Sequence, residues 1–134
     1  MPVEEAQAFF NKEQEASVIE AFVDKPDKMD EYREKLDAVV AELAIAGEAH
    51  GVMCNVRDEA SIEAMFDAAT ATLGAVDVLV ANAGVAWVEP AETTGRAAWM
   101  KVLETNLVGA FHCARRFGHE AITRGSGGAI VLIS

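Results

Sequence analysis

The sequence predicts an α/β fold, in which a parallel sheet lies between layers of helices. Apolar stretches of strand length alternate along the chain with amphipathic stretches of helix length. Strands separated by helices of this length pair in parallel through right-handed crossovers. The apolar run at residues 78–80 also passes directly into a loop of small residues at 81–84, as happens where a buried parallel strand ends at a ligand crevice. We therefore expect a single layered domain over residues 1–134.

The bulk composition restricts the domain count and the partners. At 134 residues the chain has the length of one domain with one core. Its 11 basic and 22 acidic side chains give a net charge of −11, which repels nucleic acids and anionic membranes. No uncharged run approaches the roughly 20 residues of a membrane helix, and no signal-peptide pattern opens the chain. We expect neither nucleic acid nor a membrane as a partner.

The cysteines and histidines do not form a metal-binding pattern. Cys54 and Cys113 lack metal-ligand spacing, and sequence alone does not establish that they meet in a disulfide. We expect both to be reduced core thiols, which are typical of a cytoplasmic protein. His112 and His119 lie seven residues apart, whereas a helical metal pair occupies positions i and i+4. The sequence therefore predicts no metal site.

The first elements of the chain are the least defined by their patterns. Residues 3–15 are rich in helix-forming side chains and predict a short, atypical N-terminal helix. Residues 16–24 fit either a buried strand or a helix face, and both alternatives stay open, with the strand slightly favoured. After a proline break, residues 27–46 predict an amphipathic helix with Gly47 at its C-cap.

A second strand and a second helix follow. Residues 49–56 predict a strand, and Asp58 is placed to cap a helix that runs to Leu73 and ends before Gly74. Apolar residues recur in this helix at helical spacing, which predicts its buried face. These residues are Ile62, Met65, Phe66 and Ala69.

The strand around residues 78–80 leads to a long helix and a last strand. Thr93 or Thr94 is the expected cap of that helix. Glycines at 125–128 predict a turn and not a phosphate loop, because a strand at 129–133 follows them instead of a helix. The apolar set of the long helix is Val102, Leu103, Leu107, Ala110, Phe111 and Ala114.

Two asparagines are candidate functional residues. Asn82 follows the strand at the carboxyl end of the sheet, where open α/β folds bind ligands, although an isolated Asn-Ala-Gly is more often a plain turn. Its neighbours Ala83 and Gly84 are small enough for a ligand to approach the backbone. Asn106 places an amide on an apolar helix side, where it must find partners. A buried asparagine with satisfied hydrogen bonds is the alternative there.

Residues 76–85 (VDVLVANAGV), Trp99 and residues 106–109 (NLVG) together resemble the short-chain dehydrogenases. The resemblance covers residues 49–134 and extends more faintly upstream, into the segment at 16–48. It implies a Rossmann-like parallel sheet flanked by helices. It also implies an oxidoreductase that transfers hydride between a nicotinamide cofactor and a small alcohol or ketone substrate. The cofactor is NAD or NADP, with NAD slightly favoured.

The resemblance assigns expected roles to five residues in two loops. Asn82, Ala83 and Gly84 match a loop that stabilises the central sheet and faces the adenosine ribose side of the cofactor. Asn55 and Val56 match a pair that contacts the adenine ring. We expect these five residues to bind the cofactor.

Two further residues and one helix also receive roles from the resemblance. If residues 16–23 form a strand, Asp24 matches the acid that binds the adenosine ribose hydroxyls and excludes the extra phosphate of NADP. Asn106 matches a catalytic asparagine that helps to hold a water connecting the catalytic lysine to solvent. The helix at 97–124 matches one that packs against its symmetry mate, so a homo-oligomer is expected.

Two elements of the family pattern are missing from the sequence. No glycine occurs before Gly47, so the glycine-rich turn that binds pyrophosphate at a helix N-terminus is absent, together with the central first strand. The strands ending at Asn55 and Ala81 must then pair directly, take a substitute or leave a gap. The Tyr-x-x-x-Lys pair would lie beyond Ser134, because the single tyrosine, Tyr32, is not followed by such a lysine.

Three hypotheses follow for an incomplete Rossmann-like domain. The first is a nicotinamide-dependent oxidoreductase of which these 134 residues alone do not turn over substrate. The second is a non-catalytic descendant that serves as an oligomerisation or interaction domain. The third is an unrelated α/β ligand-binding domain. Hydride transfer would favour the first hypothesis, and a stable oligomer without nucleotide affinity would favour the second.

Overall fold

The computed structural model of the chain describes residues 17–21, 29–45 and 47–133. The predictions for residues 3–15 and Asp24 lie outside this part. The elements in chain order are β1 (Ser17–Ala21), α1 (Met29–Leu43), β2 (Ala49–Met53), α2 (Glu59–Leu73), β3 (Val78–Ala81), α3 (Arg96–Leu103), a π-helical segment (Glu104–Gly109), α4 (Ala110–Arg124) and β4 (Ala129–Leu132). Strands alternate with helices, so the predicted α/β class is confirmed.

The strands form two parallel pairs. Strand β1 pairs with β2 from Ser17 opposite Ala49 to Ala21 opposite Met53. Strand β3 pairs with β4 in the same parallel sense, with Val78 opposite Ala129. The open alternative at residues 16–24 is therefore decided for a strand at 17–21, because this segment completes a ladder with β2.

No ladder joins β2 to β3 within the described ranges. Direct pairing of these strands, one of the three alternatives, therefore does not occur. Side chains from both sheets still enter one hydrophobic cluster, which includes Val56 after β2 and Leu79 in β3. The cluster also contains residues of α2 and α4. One hydrophobic core therefore contacts both sheets.

Helix α1 packs against β2 through a glycine. It ends at Leu43, before the predicted C-cap at Gly47. A Cβ at Gly51 would lie 2.9 Å from Val40 Cγ2 and 3.0 Å from Leu36 Cγ. Glycine in the strand thus lets the helix approach closely, and Leu36 is buried there.

Helix α2 matches its sequence pattern closely. The Asp58 side chain caps it by accepting a hydrogen bond from the Ala60 N–H at 3.1 Å. The helix ends at Gly74, which has a φ of 83° and donates its N–H to Thr70. The predicted buried face is confirmed, because Ile62, Met65, Phe66 and Ala69 are all buried.

The predicted caps of the long helix are wrong. Helix α3 begins at Arg96 after Gly95, with no side-chain cap. The hydroxyls of Thr93 and Thr94 each donate to the carbonyl of Pro90 at 3.0 Å. Because the helix begins at Arg96, Gly95 occupies the cap position, and the two threonines belong to the preceding turn.

The long helix also buries a different face from its predicted apolar set. Leu107 and Phe111 are 64% and 60% exposed. The residues that are buried recur at spacings of four and are Thr105, Gly109, Cys113, Phe117 and Ala121. Thr105 and Gly109 are not part of an apolar sequence pattern. Both are small enough for the helix to approach the rest of the core closely. In the described ranges, no helix combines the length and the apolarity needed to span a bilayer.

Candidate functional site

The loop after strand β3 lies at the carboxyl edge of the sheet, as predicted. Asn82 directly follows the last strand residue, Ala81, which is buried. Asn82 itself is exposed, and its side chain has no hydrogen-bond partner among the described residues. Ala83 is half-buried and packs against the core cluster. The small residues thus anchor the loop, while the amide of Asn82 is available to a ligand.

Asn106 holds this loop in place. Its Nδ2 donates to the carbonyl of Val85 at 3.0 Å, and its Oδ1 accepts from the N–H of Val85 at 2.9 Å. The side chain therefore satisfies both backbone groups of one residue, as a neighbouring strand would. Gly84 lies beside the same amide, since a Cβ at Gly84 would be 3.6 Å from Asn106 Oδ1. Asn106 is exposed, so it is a hydrogen-bonded residue at the surface and not a buried one.

The loop after β2 is tightly turned. The N–H of Asn55 donates to Ser61 Oγ at 2.9 Å, and its Oδ1 accepts from the N–H of Arg57 at 3.1 Å. The strand therefore ends at Met53, short of the predicted residue 56. Val56 as a whole residue is only 1% exposed, whereas Asn55 is exposed.

The π-helical segment contacts the loop after β2 as well. A Cβ at Gly109 would lie 2.9 Å from the Cβ and the carbonyl oxygen of Val56, so the glycine permits this approach. Glu104 Oε2 accepts from Arg57 Nη2 at 2.7 Å and from its Nε at 3.1 Å. Sequence reasoning missed Arg57 and Glu104, because they lie 47 positions apart and neither belongs to a motif.

A separate charged cluster lies between α2 and α4. The Arg116 guanidinium bonds to Glu63 at 2.6 Å, Glu120 at 2.7 Å and Asp67 at 3.1 Å. Burial alone would lower the pKa of Arg116, but these hydrogen bonds outweigh it and hold the pKa above its usual value. Arg116 also lies over the Phe66 ring, 5.3 Å from its centroid. The cluster joins α2 to α4, and the Arg116 guanidinium remains charged.

The carboxyl-edge loops offer exposed polar groups to a ligand. The exposed Asn82 and Asn55 lie at the carboxyl edge, where open α/β folds bind ligands. The N-terminus of α2 does not suit a phosphate, because Asp58 and Glu59 place carboxylates there. The described carboxyl-edge loops therefore offer exposed amides to a ligand, and the N-terminus of α2 does not add an anion site.

Comparison with known proteins gives consistent matches. D-threitol dehydrogenase of Mycolicibacterium smegmatis is 40% identical over 99 residues, which cover 73% of this chain and 38% of that protein. Cis-4-hydroxycyclohexanecarboxylate dehydrogenase of Sinomonas cyclohexanicum is 41% identical over 103 residues, covering 75% and 41%. The 3-oxoacyl-(acyl-carrier-protein) reductase of Staphylococcus aureus is 32% identical over 103 residues, covering 76% and 42%. The chain thus spans less than half the length of these relatives.

The family match covers most of the chain and includes both candidate loops. The short chain dehydrogenase family matches residues 22–134. This range contains the loop that begins at Asn82, the asparagine at 106 that holds it and the turn at Asn55. The chain therefore belongs to the short-chain dehydrogenase family of NAD(P)-dependent oxidoreductases.

Proposed function

We propose that the chain serves NAD(P)-dependent hydride transfer to or from a small alcohol or ketone. The observation that carries this proposal is the pair of hydrogen bonds by which Asn106 holds the backbone of Val85, next to Asn82 at the carboxyl edge. This arrangement presents a fixed loop of small residues at the place where α/β folds bind nucleotides. We further propose that the 134 residues alone do not turn over substrate.

The residues of this chain would bind and orient the cofactor. Bound NAD(P) supplies the hydride or accepts it. The amide of Asn82 and the backbone of Ala83 and Gly84 would position the adenosine ribose side, and the turn at residues 55–56 would contact the adenine. Asp24 would bind the ribose hydroxyls and favour NAD over NADP, because a carboxylate repels the extra phosphate.

Titration of the purified chain with NADH and NADPH, followed by nicotinamide fluorescence, tests this proposal. We expect saturable binding, with NADH binding more tightly than NADPH. Asn82→Ala should weaken the binding of both. The matched control is Asp77→Asn, an exposed residue at the opposite end of β3, which should leave the affinity unchanged. Failure of both nucleotides to bind would contradict a cofactor site in this chain.

A non-catalytic oligomerisation domain is the second candidate function. The observation that favours it is an exposed apolar stripe on the long helix, formed by Trp99, Leu107 and Phe111, which are 59%, 64% and 60% exposed. Apolar surface of this kind is covered by association in many proteins. A second copy of the chain, packed through the helix at 97–124, is the proposed occupant.

Sedimentation measurements distinguish the two functions. If the second is correct, the wild-type chain sediments as an oligomer, and Leu107→Asp yields a monomer with unchanged helix content. Ile45→Asp is the matched control, since Ile45 is 87% exposed and lies after α1, outside the helix at 97–124. A folded wild-type monomer would contradict the oligomerisation function. An oligomer that also binds NADH would be compatible with hydride transfer.

A further inference from the structure

The π-helical segment Glu104–Gly109 contacts both of the carboxyl-edge loops. Asn106 bonds to Val85 in the loop after β3. Glu104 bonds to Arg57 in the loop after β2, at 2.7 Å and 3.1 Å. A segment of six residues thus joins two loops that belong to different strand pairs.

Among the described residues, no strand ladder fixes these two loops relative to each other. Strands β2 and β3 are not paired with each other. Residues 55–58 make no described hydrogen bond to residues 82–85. In a continuous sheet, the shared ladders would fix the relative positions of loops at one edge. Here core packing and the π-helical segment fix the relative positions of the two loops.

The π geometry explains how one short segment contacts the loop after β2 twice. Glu104 contacts Arg57, and Gly109 contacts the preceding residue, Val56. In an α-helix, residues five apart point about 140° away from each other around the axis. The i→i+5 hydrogen bond of a π turn brings such residues closer to the same side. The loop after β2 thus matches the π conformation of the segment that also carries Asn106.

We propose that the π-helical segment couples the two loops and that Glu104 is a positioning residue in this coupling. By holding Arg57, its carboxylate stabilises the π turn, and the turn directs the amide of Asn106 onto Val85. Without the ion pair, the turn relaxes toward α-helical geometry and the amide rotates away from the loop. The consequence for cofactor binding rests on the proposed function, whereas the coupling itself does not.

Residue-resolved amide exchange on the full chain tests the coupling. The N–H of Val85 exchanges when its hydrogen bond to Asn106 opens. Glu104→Gln keeps the side-chain shape and removes the charge. Both partners of the ion pair are partly exposed, at 38% and 39%, so we expect exchange at Val85 to accelerate by about two- to fivefold. Amides in the middle of α2 should keep their wild-type rates.

A control and a rescue separate coupling from a general loss of stability. Asp77→Asn breaks another exposed ion pair, to Arg124, and should leave exchange at Val85 unchanged. The charge-reversed pair Arg57→Glu with Glu104→Arg should restore the wild-type rate. Unchanged exchange at Val85 in Glu104→Gln would overturn the proposal. Equal acceleration at Val85 in Asp77→Asn would also overturn it.

Nucleotide binding gives the functional measurement. ADP-ribose contains the adenosine, the pyrophosphate and the second ribose of the cofactor, and we expect Glu104→Gln to weaken its binding by about the same two- to fivefold. Unchanged affinity together with faster exchange at Val85 would overturn the role in cofactor positioning. If the wild-type chain binds neither ADP-ribose nor NADH, the proposed function fails, and the exchange measurements still decide the coupling.

Discussion

Replacing Gly109 by alanine places a methyl group against the loop after β2. Its Cβ would lie 2.9 Å from the Cβ, the Cγ2 and the carbonyl oxygen of Val56. Val56 is only 1% exposed and cannot move into solvent. Overpacking of this kind costs about 1–3 kcal/mol. Alanine recovers about 1 kcal/mol through its helix propensity, so the net loss of stability should be roughly 0–2 kcal/mol.

Gly118→Ala in the same helical run is the matched control. No atom lies within 4 Å of a Cβ at Gly118, so this variant gains the helix propensity without a clash. It should be more stable than the wild type by up to about 1 kcal/mol. The propensity terms largely cancel between the two variants. Their difference, about 1–3 kcal/mol, therefore measures the contact between Gly109 and Val56.

Urea unfolding followed by far-ultraviolet circular dichroism measures both variants. The free energy of unfolding comes from the midpoint and the slope, and the slopes of the two variants should agree. We expect a lower midpoint for Gly109→Ala and a higher one for Gly118→Ala. If Gly109→Ala is as stable as Gly118→Ala, the close approach of the π-helical segment to the loop after β2 is refuted.

Three further predictions concern the loop and helix α2. Asn106→Ala removes both hydrogen bonds to Val85 and should cost about 1–3 kcal/mol in urea unfolding, with faster amide exchange at Val85; unchanged exchange there would contradict this role. Asp58→Ala removes the cap on the Ala60 N–H and should cost about 0.5–2 kcal/mol, whereas Asp58→Asn should retain most of the stability. Phe66→Ala removes a ring that is 3% exposed and should cost about 3–5 kcal/mol; a loss below 1 kcal/mol in urea unfolding would exclude the packed core described here.

Helix α2 illustrates what local patterns predict well. Its cap at Asp58, its buried face and its end at Gly74 are all encoded within one stretch of sequence, and the structure agrees with each. The loop after β3 is similar, because the change from apolar to small residues marks the end of the strand, and Asn82 follows Ala81 as predicted.

The long helix shows where local patterns are insufficient. Its most apolar positions, among them Leu107 and Phe111, remain exposed, while Thr105 and Gly109 are buried. Burial at these positions depends on how closely the helix approaches Val56, which belongs to another element. The expected threonine caps fail because the helix begins only at Arg96, which leaves Gly95 at the cap position.

The sequence by itself determined the α/β class, the helix α2, the loop at Asn82 and the family, because each depends on residues that are near one another in the chain. Only the tertiary structure decided that residues 17–21 are a strand and that β2 and β3 do not pair. It also decided the π geometry at Glu104–Gly109 and its contacts with Arg57 and Val85. These features arise from contacts between segments that are distant in the chain. No local sequence pattern predicts the free energies of such contacts.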